Sequence, residues 1–114
     1  MERMMIIVKS GPKDDTGVMG GLRLASAMLG MDYLPVVVFV DEGVGCLLPG
    51  AIEDLVLADY LKAAADLAGV HALSESLEVL GLGVDDLDPG LDVTPVDLVW
   101  LADMVADIDS TVAF

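Results

Sequence analysis

The single cysteine of this 114-residue chain, Cys46, is the side chain with the most obvious chemical potential. It lies in a glycine-containing stretch between an apolar, strand-like run at residues 35–40 and a helical pattern. A thiol in a loop near the first amides of a helix can have a lowered pKa and act as a nucleophile or a sulfur carrier. Its neighbours Val44 and Leu47 equally favour a buried cysteine without a reaction. The nearest charged residues are acidic and would raise the thiol pKa: Asp41, Glu42, Glu53 and Asp54.

The single histidine, His71, falls inside a predicted strand. A catalytic pair with Cys46 would require the imidazole to project toward the strand end that carries the thiol, and nothing in the sequence demands this. We therefore expect a structural or partly exposed imidazole. Zinc clusters of thiolates and imidazoles need several such ligands, so one cysteine and one histidine argue against them, and no metal site is predicted.

Two further motifs are incomplete matches to ligand-binding loops. The glycine-rich stretch at residues 17–21 lacks the Gly-x-Gly-x-x-Gly spacing and the lysine of a phosphate loop, and Asp14 and Asp15 would repel phosphate. We expect these glycines to allow close packing of a helix on the sheet. The carboxylates at 85, 86, 88 and 92 lack the distal glutamate of a calcium-binding hand, and Gly90 occupies a ligand position. The sequence therefore predicts a solvated acidic loop and no cofactor.

The elements that would position these residues alternate between strands and helices. Apolar runs without polar alternation are typical of strands buried on both faces, as in a parallel sheet. The predicted strands are Met4–Val8, residues 35–40, Val70–Leu73, residues 91–93 and residues 110–114. The predicted helices run from 15 or 16 to about 31, from 53 to about 68, from 74 or 76 to 81, and from 95 to about 107. This order of elements predicts a single α/β domain over residues 1–114 with a parallel sheet.

Particular residues set the expected ends of the helices. The expected N-terminal caps are Asp15 or Thr16, Ser74 or Ser76, and Thr94. Gly69 is expected to stop the second helix, whereas Pro95 suits the first position of the fourth helix, with Asp97 near its free amides. The side chains expected to be covered on the second helix are Leu55, Val56, Leu61 and Ala65.

A binding site is expected at the carboxyl ends of the strands. In open parallel sheets, ligands bind in the crevice beyond these ends, where loops from several strands meet. A short polar segment follows each of the first three predicted strands. The candidate binding residues are Ser10, Gly11 and Pro12, then Asp41 and Gly43, then Ser74 and Ser76. We expect these segments to converge on one pocket.

Composition and charge limit the classes of partner. Hydrophobic residues make up 55% of the chain before its 12 glycines are counted. A domain of this size has little interior for that excess, so assembly into a homo-oligomer or hetero-oligomer is expected. The net charge of −15, from 20 acidic and 5 basic residues, argues against nucleic acid and anionic membranes as partners.

The same features predict the compartment. No apolar run approaches the roughly 18 residues of a membrane span. The apolar run after Arg3 ends at Lys9, which is shorter than the roughly 7–15 apolar residues of a secretory signal. One cysteine cannot form an internal disulfide, which fits a reducing environment. We expect a soluble cytoplasmic protein.

Four segments, taken in order, resemble the DsrE/DsrF-like family of small sulfur-relay proteins. They are Lys9-Ser10-Gly11-Pro12, Leu22-Arg23-Leu24-Ala25, Phe39-Val40-Asp41-Glu42-Gly43-Val44 and Asp109-Ser110-Thr111-Val112-Ala113-Phe114. The resemblance spans nearly the whole chain. It implies a three-layer α/β domain with a mostly parallel five-stranded sheet, assembly into oligomers, and a role in moving persulfide sulfur between proteins.

The resemblance also concerns a cysteine that this chain lacks after its third predicted strand. In the sulfur-accepting subunits of the family the reactive cysteine follows the third strand, where this chain carries Ser74 and Ser76. The chain is therefore most similar to the DsrF or TusC type of subunit, which lacks the acceptor and supports a partner. Cys46 does not occupy the acceptor position and inherits no role. The alternatives are a sulfurtransferase that uses a persulfide on Cys46, and a small-ligand binding module with its pocket at the strand ends.

Overall fold

Five strands and four α-helices alternate along the chain in the computed structural model, which describes residues 3–114. The strands are β1 (Met4–Val8), β2 (Val36–Phe39), β3 (Val70–Leu73), β4 (Thr94–Val96) and β5 (Ser110–Ala113). The helices are α1 (Asp15–Gly30), α2 (Leu55–Leu67), α3 (Ser74–Val79) and α4 (Leu98–Asp107). Short 3₁₀ segments cover Asp41–Leu47, Val84–Asp86 and Pro89–Leu91.

The strands form one sheet in the order β4-β3-β2-β1-β5, and all four pairings are parallel. The register places Ile6 of β1 beside Val37 of β2 and beside Val112 of β5. Because every strand runs in the same direction, all five carboxyl ends lie along one edge of the sheet. The expected α/β domain with a largely parallel five-stranded sheet is confirmed, and the sheet is parallel throughout.

Helices α1 and α2 cover one face of the sheet and form the larger core with it. Its side chains come from both helices, from alternate positions of β1, β2 and β3, and from the 3₁₀ segment that follows β2. Fully buried members are Ile6, Val8, Leu22, Val37, Phe39, Val44 and Leu47. Burial of this apolar surface is the main favourable contribution to folding.

Helix α4 lies on the opposite face and covers it incompletely. Met5 and Val38 are fully buried beneath it, but no residue of α4 itself is buried. Trp100, Leu101 and Met104 are partly buried and pack against this smaller core. The domain therefore has three layers, with a thick layer of two helices on one side and a single helix on the other.

The glycines of α1 lie where the helix approaches the sheet most closely. A methyl group on Gly20 would lie 2.8 Å from Cδ1 of Phe114, and one on Gly21 would lie 3.0 Å from Cγ2 of Val8. A methyl group on Gly17 would overlap the hydroxyl of Ser10. These glycines permit close helix-to-sheet packing, as the sequence predicts, and the stretch is not a phosphate loop.

The fourth strand and the fourth helix both begin three residues later than the sequence predicts. Leu91 is buried in a 3₁₀ turn and belongs to the larger core, so the apolar run at residues 91–93 is not a strand. Thr94 and Pro95 lie in β4 instead of starting α4. Pro95 is tolerated because β4 is an edge strand, where a missing N–H leaves no ladder partner unpaired. Asp97 is the actual cap, and its carboxylate accepts from the amide of Trp100 at 2.8 Å.

The expected N-terminal caps of α1 and α3 are also wrong. The N-cap of α1 is Asp14, one residue before the expected Asp15 or Thr16, and its carboxylate accepts from the amide of Gly17. Neither Ser74 nor Ser76 caps α3, which begins directly after β3 without a side-chain cap. Gly69 does end α2, with a φ of +83° that favours glycine.

Helix α2 begins at Leu55, and Asp54 caps it by accepting from the amides of Val56 and Leu57 at 2.9 and 3.1 Å. Leu55 and Val56 are 81% and 56% exposed, so the expectation that both are covered is wrong. Among the described residues, no helix combines the length and apolar character that a membrane crossing requires.

Candidate functional site

The loops after β1, β2 and β3 lie together at the carboxyl edge of the sheet. A methyl group on Gly11 would lie 3.3 Å from Cβ of Glu42, so the first and second loops are in close contact. The backbone amide of Asp41 donates to Oγ of Ser76 at 2.8 Å and joins the second loop to α3. Gly43 lies against the end of β1, where a side chain would overlap the carbonyl of Val8.

Two adjoining cavities form a groove along this edge, which we call the strand-end groove. The α3–α4 cavity, of about 430 Å³, is lined by Asp41, Glu42, Leu73, Glu75, Ser76, Val79, Leu80 and Leu98. The loop cavity, of about 490 Å³, is lined by Gly11, Pro12, Lys13, Asp14, Glu42 and Leu80. Both cavities are lined by Glu42 and Leu80, so they lie side by side. The groove is concave, mostly apolar in its walls and edged by carboxylates, which is the general character of a binding site.

The candidate binding residues divide into two groups. Gly11, Pro12, Asp41 and Ser76 line the strand-end groove. Ser10, Gly43 and Ser74 are not among the residues that line it. The carbonyl of Ser10 accepts from the thiol of Cys46, and its amide donates to the carbonyl of Phe114 at 3.2 Å.

Cys46 is buried in the 3₁₀ segment Asp41–Leu47. The side chain is 1% exposed, and Sγ donates to the carbonyl of Ser10 at 3.6 Å. Burial raises the pKa of the thiol to about 11, and a backbone hydrogen bond opposes this shift only in part. The direction agrees with the sequence argument, but the cause is desolvation rather than the acidic neighbours. At neutral pH the residue is a protonated, enclosed thiol.

The cavity beside Cys46 is separate from the strand-end groove. It has a volume of about 130 Å³ and lies between the 3₁₀ segment, the start of α2 and the turn at Leu91. None of its lining residues also lines the groove. The thiol therefore does not face the surface at which the three loops meet.

Comparison with known proteins identifies the family. A sequence model of the DsrE/DsrF-like family matches residues 2–114. The chain belongs to the DsrE/DsrF-like family. Its fold is similar to the crystal structure of the YchN protein from Escherichia coli, with a TM-score of 0.80 and 20% identity over 100% of both chains. It is also similar to the protein of unknown function MTH1491 from Methanobacterium thermoautotrophicum, with a TM-score of 0.72 and 17% identity over 100% of both chains. No curated protein sequence matches the chain.

In this DsrE/DsrF-like domain, the position after the third strand carries Ser76 in the first turn of α3. Ser76 is 6% exposed, and its hydroxyl is occupied as an acceptor for the amide of Asp41. Asp41 has a φ of +51°, a left-handed conformation that aspartate tolerates better than most residues. The hydroxyl of Ser76 therefore holds the turn at the end of β2.

His71 does not face Cys46. Its neighbours Val70 and Ala72 point into the core beneath α1 and α2, so His71 points to the opposite face of the sheet. There its ring stacks on Trp100 of α4, with 5.0 Å between the ring centroids, and Nδ1 lies 3.0 Å from the carbonyl of Val37. The imidazole is structural, and the two residues cannot act as a catalytic pair.

Several residues that line the groove are not among the candidate binding residues, and two of them, Glu75 and Leu98, are joined by a hydrogen bond. Oε2 of Glu75 accepts from the amide of Leu98 at 3.1 Å, which joins α3 to the start of α4. Oε1 of the same carboxylate is buried and has no hydrogen-bond partner among the described residues. The position of Glu75 between Ser74 and Ser76 is the only sequence signal for it, whereas Leu98 becomes visible only once the true start of α4 is known.

Two other features of the described residues bear on ligand binding. A third cavity, of about 530 Å³, lies between the starts of α1 and α2 and has Pro12 and Lys13 in common with the loop cavity. Among the described side chains, no three of His, Cys, Asp or Glu lie close enough together to hold a metal ion.

Proposed function

We propose that this chain is a non-acceptor subunit of a sulfur-relay assembly, of the DsrF or TusC type. Membership of the DsrE/DsrF-like family indicates a sulfur-relay role. The observation that carries the finer proposal is the absence of an accessible thiol: Ser74 and Ser76 follow β3, and the single cysteine is buried.

Persulfide transfer requires an exposed sulfur that can be deprotonated near neutral pH. The thiolate is the nucleophile, and it is reactive where cationic groups or helix amides lower its pKa. Cys46 has the reverse environment, because it is 1% exposed and burial raises its pKa to about 11. A sulfurtransferase that uses Cys46 would have to open the segment Asp41–Leu47, which is packed into the larger core.

Assembly with other subunits is the second part of the proposal. Val99 and Val105 of α4 are 69% and 43% exposed, although they lie on the thinly covered side of the sheet. Exposed apolar surface of this kind is typical of faces that pack against another protein. We propose that α4 and the sheet edge beside it contact another subunit, either a second copy or a related chain.

A role as a small-ligand binding module is a second candidate, and the strand-end groove favours it. The groove lies where open parallel sheets bind ligands, and it combines apolar walls with the carboxylates of Glu42 and Glu75. This role and the sulfur-relay role are compatible, because a supporting subunit can recognise a partner without carrying sulfur itself.

The rate of alkylation tests the non-acceptor role. We expect iodoacetamide at neutral pH to modify Cys46 in the folded chain at least about a hundredfold more slowly than in the chain unfolded in guanidinium chloride, because both burial and protonation protect the thiol. The unfolded chain is the matched control for intrinsic reactivity. Comparable rates in the two states would show an accessible thiolate and would favour the sulfurtransferase alternative.

A further inference from the structure

Glu75 lines the α3–α4 cavity, and one of its two carboxylate oxygens has no hydrogen-bond donor among the described residues. Its Oε2 accepts from the amide of Leu98, but Oε1 is buried and has no partner among the described residues. A buried carboxylate oxygen without a donor is destabilising, and such an atom in a native site often marks the place of a missing group. The group that Oε1 lacks is a hydrogen-bond donor, and a cationic donor would also neutralise the carboxylate.

The α3–α4 cavity has a net negative charge, because no basic residue in its lining neutralises its carboxylates. Asp41, Glu42 and Glu75 contribute carboxylates to its lining, and the lining contains no Lys, Arg or His. The ion pairs among the described residues involve none of these carboxylates, because they join Arg3 to Asp107 and Lys62 to Asp66. Lys13 lines the adjoining loop cavity but not the α3–α4 cavity. The α3–α4 end of the groove is thus complementary to a cation.

The rim of the α3–α4 cavity is apolar and accessible. Val79, Leu80 and Leu98 line it and are 84%, 44% and 52% exposed. Side chains of this type, exposed around a concave site, favour an apolar occupant over a free inorganic cation. The occupant that fits both features has a cationic group flanked by apolar groups.

We propose that the α3–α4 cavity docks an arginine-containing apolar segment of a partner protein. The guanidinium group of the segment donates to Glu42 and, after a small shift of the Glu75 side chain brings the enclosed Oε1 to the cavity surface, to Glu75. Its apolar flanks pack on Val79, Leu80 and Leu98. Arginine suits this site better than lysine, because its planar fork of donors can serve two carboxylates and its weaker hydration lowers the cost of burial. The inference goes beyond the proposed sulfur-relay role and does not depend on it, because it concerns peptide recognition and not sulfur chemistry.

A structural role for Glu75 is the competing explanation. Since Oε2 caps the first amide of α4, the carboxylate could serve only to hold α3 and α4 together. The substitution Glu75→Gln separates the two roles, because the glutamine carbonyl can still accept from the amide of Leu98 while the negative charge is lost. If Glu75 serves only to cap the amide of Leu98, Glu75→Gln should change peptide binding little.

The test is fluorescence anisotropy with a labelled decapeptide in which arginines are flanked by leucines, and with a matched peptide that carries glutamates in place of the arginines. We expect the wild-type chain to bind the arginine peptide and not the glutamate peptide, and the affinity to fall with added salt. Glu75→Gln should weaken binding about tenfold or more, because the guanidinium group loses its charged partner. Leu98→Ser should weaken it as well.

The control is Asp59→Asn, which removes a charge from an exposed position of α2 on the other side of the sheet. This variant should bind like the wild type, and circular dichroism should show native folding for every variant. Equal affinity of the wild type and Glu75→Gln, an equal loss with Asp59→Asn, or no binding of the arginine peptide would each overturn the proposal. These outcomes leave the sulfur-relay role untouched, because neither peptide contains sulfur.

Discussion

The backbone amide of Asp41 donates to the hydroxyl oxygen of Ser76 at 2.8 Å, and this bond joins the end of β2 to the first turn of α3. It connects two of the loops that form the strand-end groove, at a residue whose φ of +51° is unusual for a side chain with a Cβ. Ser76, which follows β3, therefore helps to shape the groove.

Replacing this hydroxyl should destabilise the domain. Ser76→Ala leaves the amide of Asp41 without its acceptor in a partly buried place, which we expect to lower the free energy of unfolding by about 1–2 kcal/mol. Urea denaturation followed by circular dichroism measures this difference. Ser26→Ala, at a half-buried position of α1, is the control and should change stability by less than about 0.5 kcal/mol. Equal stability of Ser76→Ala and the wild type would show that the bond does not hold the loop.

Gly43 should be far less tolerant of substitution than Gly45, although both lie in the same 3₁₀ segment. A methyl group on Gly43 would overlap the carbonyl of Val8, whereas one on Gly45 would lie 3.4 Å from Cδ of Pro12, an ordinary contact. We expect Gly43→Ala to lower the free energy of unfolding by about 3 kcal/mol or more, or to prevent folding, and Gly45→Ala to be nearly neutral. Thermal denaturation of the pair checks this, and similar melting temperatures would refute the packing of Gly43 on β1.

Much of the fold can be predicted from the sequence because local pattern and tertiary position agree. The apolar runs at β1, β2 and β3 are buried on both sides, so their composition alone marks them as central parallel strands. The error at β4 has a physical cause: Leu91 is apolar because it packs under α2, not because it belongs to a strand. Thr94 and Pro95 have the local pattern of a helix start, but they pair with β3 at the edge of the sheet instead.

The candidate site is predictable only in part. The loops after three parallel strands must lie at one edge of the sheet, so the proximity of Gly11, Asp41 and Ser76 follows from topology. The contact between Glu75 and Leu98 depends on where α4 begins and how it packs, and no local pattern encodes that. The burial of Cys46 is likewise a tertiary property, since its neighbours in sequence are equally consistent with a loop at the surface.

The buried thiol should make stability depend on pH in the alkaline range. The pKa of Cys46 is raised from 9.0 to about 11 in the folded chain, so this contribution to stability is fully present below pH 9 and is lost as the pH rises toward 11. Cys46→Ala has no such contribution. Between about pH 8 and pH 11, the wild type should lose on the order of 2 kcal/mol more stability than this variant.

Urea denaturation of both proteins across this range measures the difference. All other side chains are the same in both proteins, so their contributions to the pH dependence cancel in the comparison. Parallel stability curves for the wild type and Cys46→Ala would contradict the raised pKa.

A charge on the exposed face of α4 should weaken assembly. We expect light scattering to report a species larger than the monomer for the wild type at micromolar concentration, and Val99→Glu to shift it toward the monomer, because a carboxylate would be desolvated at the proposed contact. Leu55→Glu is the matched control, since Leu55 is 81% exposed at the start of α2, on the side of the sheet away from α4. A monomeric wild type, or dissociation by Leu55→Glu alone, would remove the support for an interface at α4.

Intact-mass spectrometry after incubation with glutathione persulfide tests the non-acceptor role most directly. The folded chain should remain at its original mass, because Cys46 is enclosed and protonated, while the chain unfolded in guanidinium chloride should gain sulfur on the same residue. Cys46→Ala should gain none in either state, which assigns any added mass to the thiol. Addition of one sulfur atom to Cys46 in the folded chain, at a rate comparable to that in the unfolded chain, would contradict the account and identify the protein as a sulfur carrier.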